Sequence, residues 1–116
     1  MSNIITGNCQ CGNIQIEFDN KKVISAHHCY CTDCQRSTGT GKATILYIPK
    51  KHFSSNTELK YYESIGSQGM HIQRGFCENC GSGILSFAKE FPRLLFVKAG
   101  ILLSLIHISE PTRPVL

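Results

Sequence analysis

The chain has no apolar run of the roughly 18 residues that a membrane-spanning helix needs. The nearest candidate, Leu94 to Ile108, is interrupted by Lys98 and Gly100. The N-terminal stretch Met1-Ser2-Asn3-Ile4-Ile5-Thr6-Gly7 has neither a basic n-region nor an apolar h-region, so no export signal is visible there and a cytoplasmic location is expected. The lysines and arginines are scattered and form no basic tract, which speaks against nucleic acid as a partner. There is no internal repeat and no linker-like segment. Charged residues make up only 17% and hydrophobic residues 41%, the balance of a globular chain and not of a disordered one. With 116 residues a single domain is expected, and a core of that size gains from a metal staple. The net charge of +4 suits a small anionic substrate.

Seven cysteines stand out against this background. In a reducing compartment such a number signals metal binding or catalysis and not disulfides, and an odd count leaves no fully paired framework. They fall into three groups: Cys9-Gln10-Cys11-Gly12, then His28-Cys29-Tyr30-Cys31-Thr32-Asp33-Cys34, then Cys77-Glu78-Asn79-Cys80-Gly81. Zinc takes four ligands in a tetrahedron. Cys9, Cys11, Cys77 and Cys80 form two pairs, each followed by a glycine that can take a positive φ and turn the chain back under an ion. Together they make one closed Cys₄ site that ties the N-terminal segment to a distant hairpin, and iron in a rubredoxin-like arrangement is the alternative occupant. Cys29, Cys31 and Cys34 supply three ligands to a second zinc, with a fourth position left for water or substrate, as in catalytic sites. His27 or His28 could close that position and make the site structural. Adjacent residues of an extended chain point to opposite faces, which disfavours His28.

Three thiolates make zinc a poor Lewis acid toward water, so exchange of a thiol is the more natural use of an open Cys₃ site. A thiol of ordinary pKa, about 8.5, deprotonates on coordination. Arg36, Lys42 and Arg74 are candidates to offset the negative charge that results.

The remaining pattern is mostly β. Asn13 to Phe18 alternates polar and apolar residues. Further short strands are expected over Val23–His28, Lys42–Ile48, Leu59–Glu63, Met70–Phe76, Gly83–Phe87 and Leu94–Ala99. Asp19–Lys22 reads as a turn and Pro49–Phe53 as a single helical turn, with Gly66, Gly69, Gly81 and Pro92 separating later strands. No helix longer than two turns is expected.

The motifs Gly7-Asn8-Cys9-Gln10-Cys11-Gly12, His28-Cys29-Tyr30-Cys31-Thr32-Asp33-Cys34-Gln35-Arg36-Ser37-Thr38-Gly39 and Arg74-Gly75-Phe76-Cys77-Glu78-Asn79-Cys80-Gly81-Ser82 resemble those of the glutathione-dependent formaldehyde-activating enzyme (GFA) family. The resemblance runs from about Gly7 to Gly100. It implies an Mss4-like fold of small antiparallel sheets around zinc. It also implies one structural zinc at Cys9, Cys11, Cys77 and Cys80, and one catalytic zinc at Cys29, Cys31 and Cys34. The activity it implies is that of a carbon–sulfur lyase equilibrating glutathione and formaldehyde with S-hydroxymethylglutathione. A non-catalytic zinc-binding interaction module and a carrier of glutathione or another small thiol are the rival readings, because fold and motif alone do not guarantee the reaction.

Residues 1–102 are taken as the zinc-binding domain and 103–116 as a non-native tail. Leu103 to Arg113 back-translates into a string resembling a transposase adapter used in DNA-library preparation. Such a scar is excluded from fold reasoning, and on this expectation the fold is cut short at its C-terminus and His107 and Glu110 have no function. Resequencing the source locus tests it, and a genomic read carrying these codons refutes it.

Overall fold

The computed structural model describes residues 4–66 and 68–102; the suspected tail at 103–116 lies outside them. Period-two burial opens the chain. In β1 (Ile4–Asn8) Ile5 and Gly7 face inward, and in β2 (Gln15–Asp19) Ile16 and Phe18 do so. The two strands pair antiparallel with Ile5 opposite Phe18 and Gly7 opposite Ile16. The short β5 (Phe53–Ser55) joins the other side of β2 and completes a three-stranded sheet, β1-β2-β5.

The second sheet has six strands: β3 (Ser25–Cys29), β4 (Ala43–Pro49), β6 (Lys60–Ile65), β7 (His71–Phe76), β8 (Gly83–Ala88) and β9 (Phe91–Lys98). Their spatial order is β3-β4-β9-β8-β7-β6, and every neighbouring pair is antiparallel. Single helical turns of 3₁₀ type occupy Asn20–Lys22, Lys50–His52 and Ala99–Ile101. The only α-helix among the described residues, α1 (Thr32–Thr38), bridges β3 and β4.

The core lies between the sheets. Ile5, Ile16 and Phe18 of the smaller sheet pack in one cluster with Leu46, Ile48, Ile84, Leu95 and Val97 of the larger, and the buried Cys9 and Cys77 belong to the same cluster. Each fully buried aliphatic or aromatic side chain contributes about 1.5–3 kcal/mol relative to exposure. The chain after β9 returns to β1, where Leu102 bridges Gly7. A Cβ on Gly7 would lie 2.5 Å from the Ile101 carbonyl oxygen, so only glycine allows this approach.

The mostly β expectation holds, with differences at particular elements. The strands β1 and β5 and the helix α1 were not anticipated. The expected Leu94–Ala99 strand starts earlier, at Phe91, and ends at Lys98, because Ala99 opens a 3₁₀ turn. Pro92 is therefore inside a strand and not in a turn. The reason is positional: the β4–β9 ladder ends at Pro49 opposite Leu94, so Pro92 lies beyond the last β4 partner and its missing N–H costs no bond there.

Candidate metal centres

Two loops of similar design build the first cluster. Cys9 follows β1, and its N–H donates to the Ile14 carbonyl while the Gly12 N–H donates back to the Cys9 carbonyl at 3.0 Å. Cys77 follows β7, and its N–H donates to the Ser82 carbonyl while the Gly81 N–H donates to the Cys77 carbonyl at 2.7 Å. Both closing glycines sit in the left-handed region, Gly12 at φ 82° and Gly81 at φ 81°, as the glycine-after-cysteine pattern implied. The turns aim sulfurs inward from both sides. Cys9 Sγ is 3.6 Å from Cys11 Sγ, and Cys11 Sγ is 3.8 Å from Cys77 Sγ.

Across the four residues all sulfurs lie within 4.8 Å of one another. A disulfide has its sulfurs about 2.05 Å apart, so these are not bonded pairs. Four sulfurs about 2.3 Å from a central zinc are about 3.8 Å from each other, and the observed spacings match that tetrahedron. Cys9 and Cys77 are buried while Cys11 is exposed. Donors approach the sulfurs as they would thiolates: the Ile14 N–H reaches Cys9 Sγ at 3.2 Å, and the Asn79 amide reaches Cys11 Sγ at 3.2 Å. Ser82 couples the two loops, since its Oγ accepts from the Gln10 N–H at 2.9 Å and lies 3.1 Å from Cys80 Sγ. The Ser82 hydroxyl and N–H pull the Cys80 thiol down to about 5. Cys77 is pushed up to about 11: the bond from the Cys80 N–H acts to lower it, but burial and the neighbouring sulfurs outweigh that bond. Sulfurs this close cannot all ionise unaided, and a divalent cation at their centre removes the conflict.

The second cluster forms where β3 ends and α1 begins. Cys29 is the last residue of β3. Cys31 is the N-cap of α1 and its sulfur accepts from the Cys34 N–H at 3.4 Å. At the other end Gly39 adopts φ 73° and its N–H closes the helix on the Gln35 carbonyl. One turn of helix thus brings Cys34 beside the cap residue. The Cys29 thiol donates to Cys31 Sγ at 3.4 Å, and all three sulfurs lie within 4.8 Å of one another. Cys31 is exposed and the other two are half-buried. The bond from the Cys34 N–H, then that from the Cys29 thiol, lowers Cys31. Burial and the two neighbouring sulfurs push Cys34 up to about 12. This set too has the spacing and the charge conflict of metal ligands.

Neither histidine joins the trio. His28 Nδ1 is held by Thr44 Oγ1 at 2.9 Å. The His27 ring packs 4.5 Å from that of Tyr47, and its Nε2 is engaged by Ser25 Oγ at 2.8 Å. Among the described residues the second group of candidate metal donors has three members and the first has four.

Beside α1, the helix that carries Cys34, lies a cavity of about 450 Å³ lined by Arg36, Arg74 and Lys98, together with Ser37, Tyr62 and Ser64, and by none of the three cysteines. A neighbouring cavity of about 530 Å³ shares Lys98 and also takes in Lys42. Of the cations anticipated, Arg36 and Arg74 therefore meet in one cavity while Lys42 lies in the next. Lys98 belongs to no cysteine motif, and its only sequence signal is a single charge in an apolar strand pattern. Burial, then the charge of Arg74, lowers its pKa, and the sulfurs of Cys34, Cys29 and Cys31 act in the opposite direction.

An antiparallel two-sheet fold with a four-cysteine and a three-cysteine cluster defines a candidate metalloprotein of the Mss4-like type. The family model of the glutathione-dependent formaldehyde-activating enzyme matches residues 4–115, a wider span than the motifs themselves cover, and the chain belongs to that family. A crystal structure of a Rhodobacter sphaeroides protein, a structural-genomics target, is similar in fold. It has a TM-score of 0.65 over 91% of both chains at 22% identity. No curated protein matches the chain. No helix among the described residues is long and apolar enough to cross a membrane.

Proposed function

We propose that this protein is a cytoplasmic, zinc-dependent carbon–sulfur lyase that equilibrates glutathione and formaldehyde with S-hydroxymethylglutathione. In this reading Cys9, Cys11, Cys77 and Cys80 hold a structural zinc, and Cys29, Cys31 and Cys34 hold a working zinc. The supporting observation is the contrast between the two clusters. Four sulfurs, two of them buried, leave no room for a substrate ligand, whereas three sulfurs sit at an exposed helix cap, and the same helix lines a cationic cavity through Arg36. Family membership supplies the thiol and the aldehyde.

Zinc at the trio, when bound, supplies a positive centre that lowers the pKa of an incoming thiol from about 8.5. The chain itself does the rest. Cys29, Cys31 and Cys34 fix where the thiol sulfur arrives, and Arg74 and Lys98 offset the negative charge collected there. In the forward reaction the sulfur forms a bond to the formaldehyde carbon, the carbonyl π pair moves to oxygen, and the proton lost from the thiol ends on that oxygen. The reverse reaction breaks the same carbon–sulfur bond. Holding both reactants beside each other replaces a bimolecular encounter in water.

Two-dimensional exchange NMR on glutathione and formaldehyde, with catalytic protein added, tests the reading. The expected result is faster interconversion than in the uncatalysed mixture, lost in Cys31→Ser. Glutathione binding without acceleration leaves a thiol carrier, and absence of both binding and acceleration refutes the proposal.

A further inference from the structure

Some of the cations that are scattered along the chain gather at one corner of the fold. Lys50 and Lys51, on the 3₁₀ turn after β4, and Arg93, near the start of β9, line a cavity of about 670 Å³ with Pro49, Phe53 and Pro92. All three cations are exposed, and no carboxylate lines the cavity. Among the described residues none of the three lies in an ion pair, the pairs there being His71–Glu90 and Lys89–Glu63. The other lining residues are apolar, and Phe53 packs against the core. Phe91, 54% exposed, adds apolar surface at the start of β9. The backbone is open here as well. β4 pairs with β9 only as far as Leu94, and the β8 register passes from Phe96 to Phe91, so Pro92 and Arg93 have no ladder partner in either neighbouring strand. The corner is remote from the trio: Cys29 pairs with Ala43 at one end of β4, and the cavity starts at Pro49, the other end, about 20 Å away at about 3.3 Å per residue.

We propose that this corner docks an extended acidic segment of another protein, which places one apolar side chain in the cavity and sets carboxylates beside Lys50, Lys51 and Arg93. Three cations in two separate elements call for more than one negative charge along a length of chain, and charge complementarity of this kind gives a surface its choice of partner. An apolar lining with a few polar groups is the usual composition of a binding pocket, and the volume lies in the usual range of about 300–1,000 Å³. The Arg93 backbone, outside the ladder, suits the main chain of an extended segment. A nucleic-acid strand fits less well, because stacking needs successive aromatic faces and Phe53 is the sole ring lining the cavity. The surface lies apart from both cysteine clusters and stands or falls separately from the lyase reading.

Fluorescence anisotropy of labelled peptides tests this on the full chain. The probes carry glutamates on both sides of one central residue, which is leucine, phenylalanine or glycine, and a single-stranded oligothymidylate is the rival polyanion. The native protein is expected to bind the leucine or the phenylalanine peptide several-fold tighter than the glycine peptide and the oligonucleotide, and to lose affinity as salt is raised. The double variant Lys50→Glu/Lys51→Glu and the single variant Arg93→Glu, each checked for a native thermal melt, are expected to weaken the best peptide about tenfold or more, since an attraction becomes a repulsion. Exchange between glutathione and formaldehyde is expected to be unchanged in both. Equal binding of the glycine peptide shows charge attraction alone and overturns the proposal, and tighter binding of the oligonucleotide overturns it in favour of nucleic acid. Unaltered affinity in either variant places the peptide elsewhere and overturns it too. Absence of binding by every peptide at low salt does the same.

Discussion

Replacing Cys80 by serine is expected to cost far more stability than replacing Cys31. The Cys₄ cluster joins Cys11 to Cys77 across 66 residues, and it clips the loop after β1 of one sheet to the loop after β7 of the other. Closing a chain loop of that length carries an entropic cost of about 4 kcal/mol in the unfolded state, from the logarithmic dependence on loop length. A bound ion offsets this cost only while its ligand set is intact. Whole domains of this size have about 5–15 kcal/mol of stability, so losing the clip removes a large share. At about 4–8 °C per kcal/mol for a small domain, Cys80→Ser lowers Tm by about 15 °C or more.

The Cys29–Cys34 cluster ties only the end of β3 to the helix that follows it. Its sulfurs already lie next to one another through local structure, so Cys31→Ser is expected to cost no more than about 1 kcal/mol, an ordinary surface value. Thermal melts followed by circular dichroism, with zinc per chain measured by elemental analysis, compare the two. Native protein is expected to hold two zinc ions, and Cys31→Ser one, with a nearly native melt. Equal losses of Tm in the two variants, or a larger loss in Cys31→Ser, refute the division of labour between the clusters.

Three further outcomes follow from the same geometry. Gly7→Ala places a Cβ 2.5 Å from the Ile101 carbonyl oxygen and is expected to destabilise by about 1–3 kcal/mol, the range for overpacking, read from urea titration; a neutral result shows that the Leu102 bridge to β1 is dispensable. A competing chelator is expected to strip zinc in two phases, fast from the trio with its exposed Cys31 and slow from the set containing buried Cys9 and Cys77; a single phase contradicts the difference in enclosure. Glu90 accepts from His71 Nδ1 at 2.6 Å and from the His71 N–H at 3.0 Å, and the ring contact holds its carboxyl below the ordinary value. Because the folded pKa is depressed, the contact stabilises above the unfolded carboxylate pKa and fades as pH falls through the folded one; carboxyl NMR should show the midpoint rising in His71→Ala, and an unmoved midpoint removes His71 as the cause.

The elements most legible in the sequence were those whose local pattern matches their final surroundings. Gln15 to Phe18 alternates because one face of β2 meets the core. Gly12 and Gly81 follow their cysteines because the chain must turn back at a positive φ. β1 was harder to read: its inward positions are Ile5 and Gly7, and glycine gives no hydrophobic signal. β5 has three residues, too few for a period to register. The helix α1 is capped by a cysteine sulfur, an atom absent from the usual capping residues, and the capping-box pattern of Thr32 and Gln35 is set one residue past the actual cap, inside a cysteine cluster that reads first as a metal loop.

Covalent order alone determined the chemistry available to this protein. Seven cysteines in three short groups, two ending in glycine, specify which sulfurs can approach one another through a local turn, because such turns span only a few residues. Only the tertiary structure decided the distant meetings. The approach of Cys11 to Cys77, and the convergence of Arg36, Arg74 and Lys98 on one cavity, depend on how two sheets pack and on which strand becomes central. Those outcomes are set by burial summed over the whole core, and no short stretch of sequence carries that sum.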